Sequence, residues 1–248
     1  MKRHKTSTRR GGFTLVETLL AIGLVGVLLS LFLVVFVPAR GMVRQALARQ
    51  EAERITTVLR TEMNMLRGKE QAPQTAQNST PTSFITPFDK AFYWMRRSEK
   101  PSTSIVIFSY RADTRESVRP DGTYPALPAN ANQPNGHTQL ITIACPMDDP
   151  VHGKEIKDAV GNVFLVRMTE LEPQNNGSFK PAKEPGTIRG AQTPERFVLE
   201  ENNTVRGAIV YYRADFFIMS PPNPARYKNK PWKRLGRPAF SANLSFRR

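Results

Sequence analysis

The sequence predicts an α+β fold: a long N-terminal helix, membrane-spanning in its first half and amphipathic in its second, packed against a small antiparallel β-sheet head. Three observations predict it. Phe13 to Val37 is an apolar run of 25 residues with one charge, Glu17. From Val43 to Leu66 the apolar residues recur at spacings of three and four, the signature of a helix with one buried face. Beyond Gly68, short β-branched runs alternate with stretches rich in proline, glycine and asparagine.

The bulk composition fits this division. The chain has 248 residues, 36 Lys+Arg against 21 Asp+Glu, and a formal net charge of +15. Forty per cent hydrophobic residues suffice for a core and exclude wholesale disorder. A mean hydropathy of −0.41 excludes a polytopic membrane protein but not one span. A single cysteine, Cys145, excludes an intrachain disulfide and a Cys-rich zinc site.

The chain opens on a basic leader, residues 1–12, with Lys2, Arg3, Lys5, Arg9 and Arg10 and no acid. The transmembrane segment, residues 13–37, would be about 37 Å long as a helix, enough for a hydrocarbon core of about 30 Å. The apolar region of a cleaved secretory signal is shorter, roughly 7–15 residues. Val37-Pro38-Ala39 nevertheless sits where such a signal would be cut, so that reading stays open. Glu17 distinguishes the segment from a plain anchor. A carboxylate within a span costs roughly 2.5–3.5 kcal/mol on insertion scales and marks a function unless it snorkels to the interface.

The run Gly11-Gly12-Phe13-Thr14-Leu15-Val16-Glu17 resembles the signal of type IV prepilins and type II secretion pseudopilins. The resemblance covers residues 1 to about 67. It implies that prepilin peptidase cuts between Gly12 and Phe13, that Phe13 becomes the N-methylated mature N-terminus, and that Glu17 is the fifth mature residue. In that family Glu17 would serve subunit assembly by pairing with the free amine of a neighbour, which removes an isolated charge from an apolar setting. The implied partners are prepilin peptidase, other pilin or pseudopilin subunits, an inner-membrane assembly platform and membrane lipid. The implied location is the bacterial inner membrane, single-pass with the head outside the cytoplasm, and then a pilus or pseudopilus.

Residues 38–67 form the amphipathic second half of the helix. Pro38 is expected to kink or break it, and Gly68 to stop it. The head spans residues 68–248. Thr86-Pro87 opens a short helix, a strand being the near alternative. Strands are expected at Ile105–Tyr110, Leu140–Cys145, Val163–Met168, Phe197–Leu199 and Ala208–Ile218. The long stretches Asp113–Gly136, Pro173–Pro194 and Ser220–Pro238 read as loops.

The head offers little chemistry. Cys145 sits in an apolar run and reads as a small buried hydrophobe. His137 and His152 lie in polar loops with no helical spacing to a carboxylate. Asp148, Asp149, Asp158 and Asn162 match no calcium loop and read as solvated groups. No catalytic residue, metal or cofactor is expected, and the chain is read as a non-enzyme. The remaining candidate is the C-terminal tail, Arg226 to Arg248, with eight basic residues and no acid. Arg226, Lys228, Lys230, Trp232, Lys233, Arg234 and Arg237 form a polyanion or docking patch. Cations interleaved with aromatics are what single-stranded nucleic acid requires. Docking on an acidic neighbour subunit is the preferred reading. The functional expectation is a minor pilin or minor pseudopilin, because the chain is larger than typical major pilins and lacks their C-terminal cysteine pair. The alternative is a signal-anchored envelope protein that binds a polyanion such as DNA or polysaccharide and does not polymerise.

Overall fold

A computed structural model of the chain describes residues 14–67, 86–128, 136–188 and 209–247, with backbone alone for 33–45. It is a mixed α and β protein whose chain divides into two compact units, Met1–Glu51 and Ala52–Arg248. The expected cut between Gly12 and Phe13 and the strand Phe197–Leu199 lie outside the described residues.

The first helix, α1, runs Leu15–Met63. It continues through Pro38, so the expected break does not occur. A proline removes one N–H donor, and an apolar run on one side with strong helix formers on the other retains the remaining bonds. Leu15–Phe32 is long and apolar enough to cross a membrane, and its side chains are exposed throughout.

The second unit begins with the last turns of α1. Ile55, Leu59 and Met63, at spacings of four, are buried, whereas Leu47 is 60% exposed. The buried face therefore starts later than the sequence pattern suggests. The helix stops at Met63, ahead of the stop expected at Gly68. Two side chains hold carbonyls at that end: Lys90 Nζ donates to Met65 O (3.0 Å) and Asn64 Nδ2 to Arg60 O (2.7 Å). Fully buried Lys90 also lies 3.7 Å from Glu62 and over the Trp94 ring.

Helix α2, Pro87–Arg97, is set by a capping box. Thr86 N–H donates to Asp89 Oδ2 (3.0 Å), and Asp89 N–H donates back to Thr86 Oγ1 (3.2 Å). Such a cap is worth about 1 kcal/mol, and a proline at the first turn forfeits no bond. That local chemistry decides for helix over strand.

The sheet is antiparallel. Its strands are β1 (Ile105–Asp113), β2 (Thr138–Pro146), β3 (Phe164–Pro173), β4 (Phe179–Pro181), β5 (Ile209–Ile218) and β6 (Phe240–Arg247). The order is β2-β1-β3-β5-β6, and β4 pairs with the end of β3. β1, β2, β3 and β5 lie where the sequence places them, with shifted ends. β6, within the basic tail where no strand is expected, is an edge strand paired with β5 from Phe216↔Phe240 to Ile209↔Arg247.

One face of the sheet packs Ile107, Val166, Ala214, Phe216, Leu244 and Phe246 against the α1 and α2 side chains. The other face has two parts. Val106, Phe108, Tyr110, Leu165 and Phe217 are covered by Ile156, Tyr227 and Trp232. β1 is thus buried on both sides, which explains its continuous apolar run. The rest of that face, over β3, β5 and β6, carries polar and basic side chains and is open.

Candidate functional site

The cationic segment between β5 and β6 folds as two short helical turns, Pro224–Tyr227 and Trp232–Leu235. Asn223 caps the first turn by accepting the Ala225 N–H (3.0 Å). Tyr227 and Trp232 point inward and anchor the segment. Trp232 is 7% exposed, its ring lies 5.5 Å from that of Phe217, and its Nε1–H donates to Ser98 O (2.9 Å) and Glu99 O (3.1 Å). Those carbonyls belong to the end of α2, where helical carbonyls lack intrahelical partners.

Burial takes Trp232 out of the stacking role considered for it. Its indole is a structural anchor, and no base can lie on a ring already covered by the head. The cations stay outside. Arg226, Lys228, Lys230, Lys233, Arg234 and Arg237 are exposed, and none forms an ion pair among the described residues. The turns thus present six cations on a fixed base.

Beside them lies the open half of the sheet face. Strand alternation places Arg167 of β3, Tyr211, Arg213 and Asp215 of β5, and Arg247 of β6 on this side. Asp215 is buried and accepts from Arg167 (2.8 Å), Arg213 (2.8 Å) and Ser241 Oγ (2.5 Å). Burial pushes its carboxyl up, but these three donors outweigh it and hold the group below its ordinary value. The Arg167 guanidinium continues over the rings of Phe217 and Trp232, which joins the sheet face to the cationic turns.

A second polar cluster lies at His152. Its Nδ1 is 3.0 Å from Glu155 Oε2 and its Nε2 is 2.6 Å from Asp121 Oδ2. Glu155 also accepts from Arg119 (2.5 Å) and from the Ala126 N–H (2.9 Å). Burial alone would lower the His152 imidazole, but a carboxylate at each ring nitrogen raises it above its ordinary value. Burial likewise opposes ionisation of Glu155, and its donors overcome this to bring it to about 2. The cluster fastens Arg119–Ala126, part of the stretch expected to be a long loop, to the turn His152–Asp158. His152 and Glu155 stand three residues apart on that turn, which corrects the expectation that His152 has no helical spacing to a carboxylate; only Asp121 and Arg119 come from far away in sequence.

None of these groups forms a nucleophile–base pair. Cys145 is buried and its thiol is pushed well up by burial. Among the described residues there is no group of three or more His, Cys, Asp or Glu able to hold a metal. Asp148 pairs with Arg97, and Asp149 Oδ1 accepts the Val151 and His152 N–H groups.

No family model, curated protein or solved structure matches the chain.

At the other end of the chain, Glu17 lies exposed in the first turn of α1. Its N–H donates to Thr14 O (3.0 Å), with Thr14 Oγ1 at 3.3 Å, so Thr14 serves as the helix cap. A carboxylate there faces the positive end of the helix dipole.

Proposed function

We propose that the chain is a pilin-like structural subunit, a minor pilin or minor pseudopilin, cut by prepilin peptidase between Gly12 and Phe13 and assembled into a pilus or secretion pseudopilus. The observation that carries this reading is the order of features at the N-terminus. A basic leader ends at Gly12-Phe13, a carboxylate follows at Glu17, and the helix from Leu15 to Phe32 exposes apolar side chains on all sides. A helix apolar all round requires lipid or other helices about it. A filament of such helices supplies both in turn: lipid before assembly, neighbouring subunits after.

Glu17 supports assembly over mere anchoring. An anchor needs only length and hydropathy, and a charge lowers its insertion. In a bundle of identical apolar helices, an amine–carboxylate pair fixes axial register that leucine and valine surfaces leave loose. The exposed cationic turns favour a second reading, an anchored envelope protein that binds a polyanion and does not polymerise.

N-terminal sequencing of the membrane-extracted protein separates these readings. The expected start is Phe13 bearing an N-methyl group. An intact Met1 would leave an ordinary signal anchor, and a start at Arg40 would establish secretory cleavage. Either result overturns the pilin reading.

A further inference from the structure

We infer that the open half of the sheet face, over β3, β5 and β6, binds single-stranded nucleic acid, with Tyr211 and Phe179 as the stacking platform and Arg213 and Arg247 on the phosphates.

Three observations carry this. First, the face exposes aromatic rings that have no core to fill. Phe179 is 48% and Tyr211 37% exposed, and their rings meet at 5.0 Å. Burial of aromatic surface is a main source of core stability, so a surface pair forfeits it. Bases supply the missing flat apolar partner, and every base has a stacking face.

Second, the charge on the face is one-sided. Its strands direct three cations outward, Arg167, Arg213 and Arg247, against one acid, Asp215. That acid is buried and held by two of the arginines and Ser241, so it presents no open carboxylate to repel phosphate.

Third, the face is continuous with the cationic turns. The outward row of β5 runs from Phe217, beneath Trp232, through Asp215 and Arg213 to Tyr211. Six steps of about 3.3 Å make this roughly 20 Å. A strand of a few nucleotides can therefore stack at Tyr211 and Phe179 while its backbone crosses Arg213 toward the turns. An anionic polysaccharide would match the charge, but its puckered rings offer the aromatic pair C–H edges in place of the flat π-faces that bases bring. Binding here does not require filament assembly, so it stands or falls separately from N-terminal processing.

The test uses the full chain in detergent micelles with fluorescent oligothymidylate, oligouridylate and double-stranded DNA, read by anisotropy. Single strands should bind saturably and tighter than the duplex. The DNA and RNA arms identify which sugar the face accepts. With two phosphates engaged, a fourfold rise in salt should weaken binding by roughly sevenfold. Phe179→Ser with Tyr211→Ser should weaken it by about tenfold or more at unchanged melting temperature. Arg247→Gln, which changes one exposed side chain, should weaken binding and flatten the salt dependence. Duplex or heparin binding as tight as single-strand binding, indifferent to the Phe179 and Tyr211 changes, would establish a general polyanion patch and overturn the inference. So would wild-type affinity in all three substitutions.

Discussion

Replacing His152 with alanine tests whether the head is held by a charged clasp. In the folded protein the imidazole lies between Asp121 and Glu155, and both carboxylates are held below their ordinary values. Glu155 falls from 4.5 to about 2, which corresponds to roughly 3 kcal/mol at 1.36 kcal/mol per pH unit. Arg119 and the Ala126 N–H share that stabilisation, and nearby solvent screens it. Adding the donor that Asp121 loses, His152→Ala should cost about 2 kcal/mol. The sign with pH follows from the directions. His152 is raised, so its contribution is complete below its unfolded value of about 6.5 and is lost as pH rises through the folded one. Asp121 and Glu155 are lowered, so theirs is complete above about 4.5 and is lost as pH falls toward 2. The clasp is therefore strongest at mildly acidic pH. Above it, neutral imidazole has one N–H, and one carboxylate must face a lone pair. The measurement is urea unfolding of a fragment beginning at Gly41, which should fold as a soluble, strand-containing protein, at about pH 6 and about pH 9. Wild type should lose stability between them and His152→Ala should lose much less. Parallel losses in the two proteins would refute the clasp, because the dependence would then arise without His152.

Two further perturbations address the packing of the head and the membrane segment. Gly186 has φ +76°, and a Cβ there would lie 2.5 Å from Glu99 N and 2.7 Å from Arg96 O, so Gly186→Ala should cost about 3 kcal/mol in unfolding experiments and release the segment from the end of α2. Glu17→Val should insert into membranes at least as well as wild type and still be cleaved, yet enter filaments poorly, as read by immunoblot of sheared filaments; wild-type incorporation would mean that Glu17 has no part in assembly.

The elements legible in the sequence were those whose signal is local. The β-branched runs of β1, β2, β3 and β5 stand out because those strands bury one or both faces. Thr86, Pro87 and Asp89 announce α2 within four residues. β6 is equally legible in its alternation. Phe240, Ala242, Leu244 and Phe246 alternate with Ser241, Asn243, Ser245 and Arg247, a period of two that the flanking basic residues obscured. The cations of the candidate site were visible as a charge run, but their setting was not. Trp232 reads as an exposed aromatic among lysines until Ser98 and Glu99, far away in sequence, supply its hydrogen-bond partners. The Phe179–Tyr211 pair depends in the same way on strand register, and the His152 clasp on the loop closure that brings Asp121 and Arg119 to a local pair, His152 and Glu155, three residues apart.

The anchoring of the cationic turns bears on what they can do. A basic tail free in solution binds any polyanion but must lose conformational freedom as it does so, which weakens and blurs recognition. Here Tyr227 and Trp232 are already buried, Asn223 caps the first turn, and Arg167 lies across the Trp232 ring. The ordering has occurred on folding, so contacts made by Lys233 or Arg234 need not offset it again. The same anchoring separates the roles of the residues between β5 and β6. The aromatics hold the shape from within, the cations act outward, and stacking contacts fall to the sheet face where Tyr211 and Phe179 remain exposed. A partner that engages only the turns needs charge; one that also covers Tyr211 and Phe179 must bring flat rings or apolar surface to the same face.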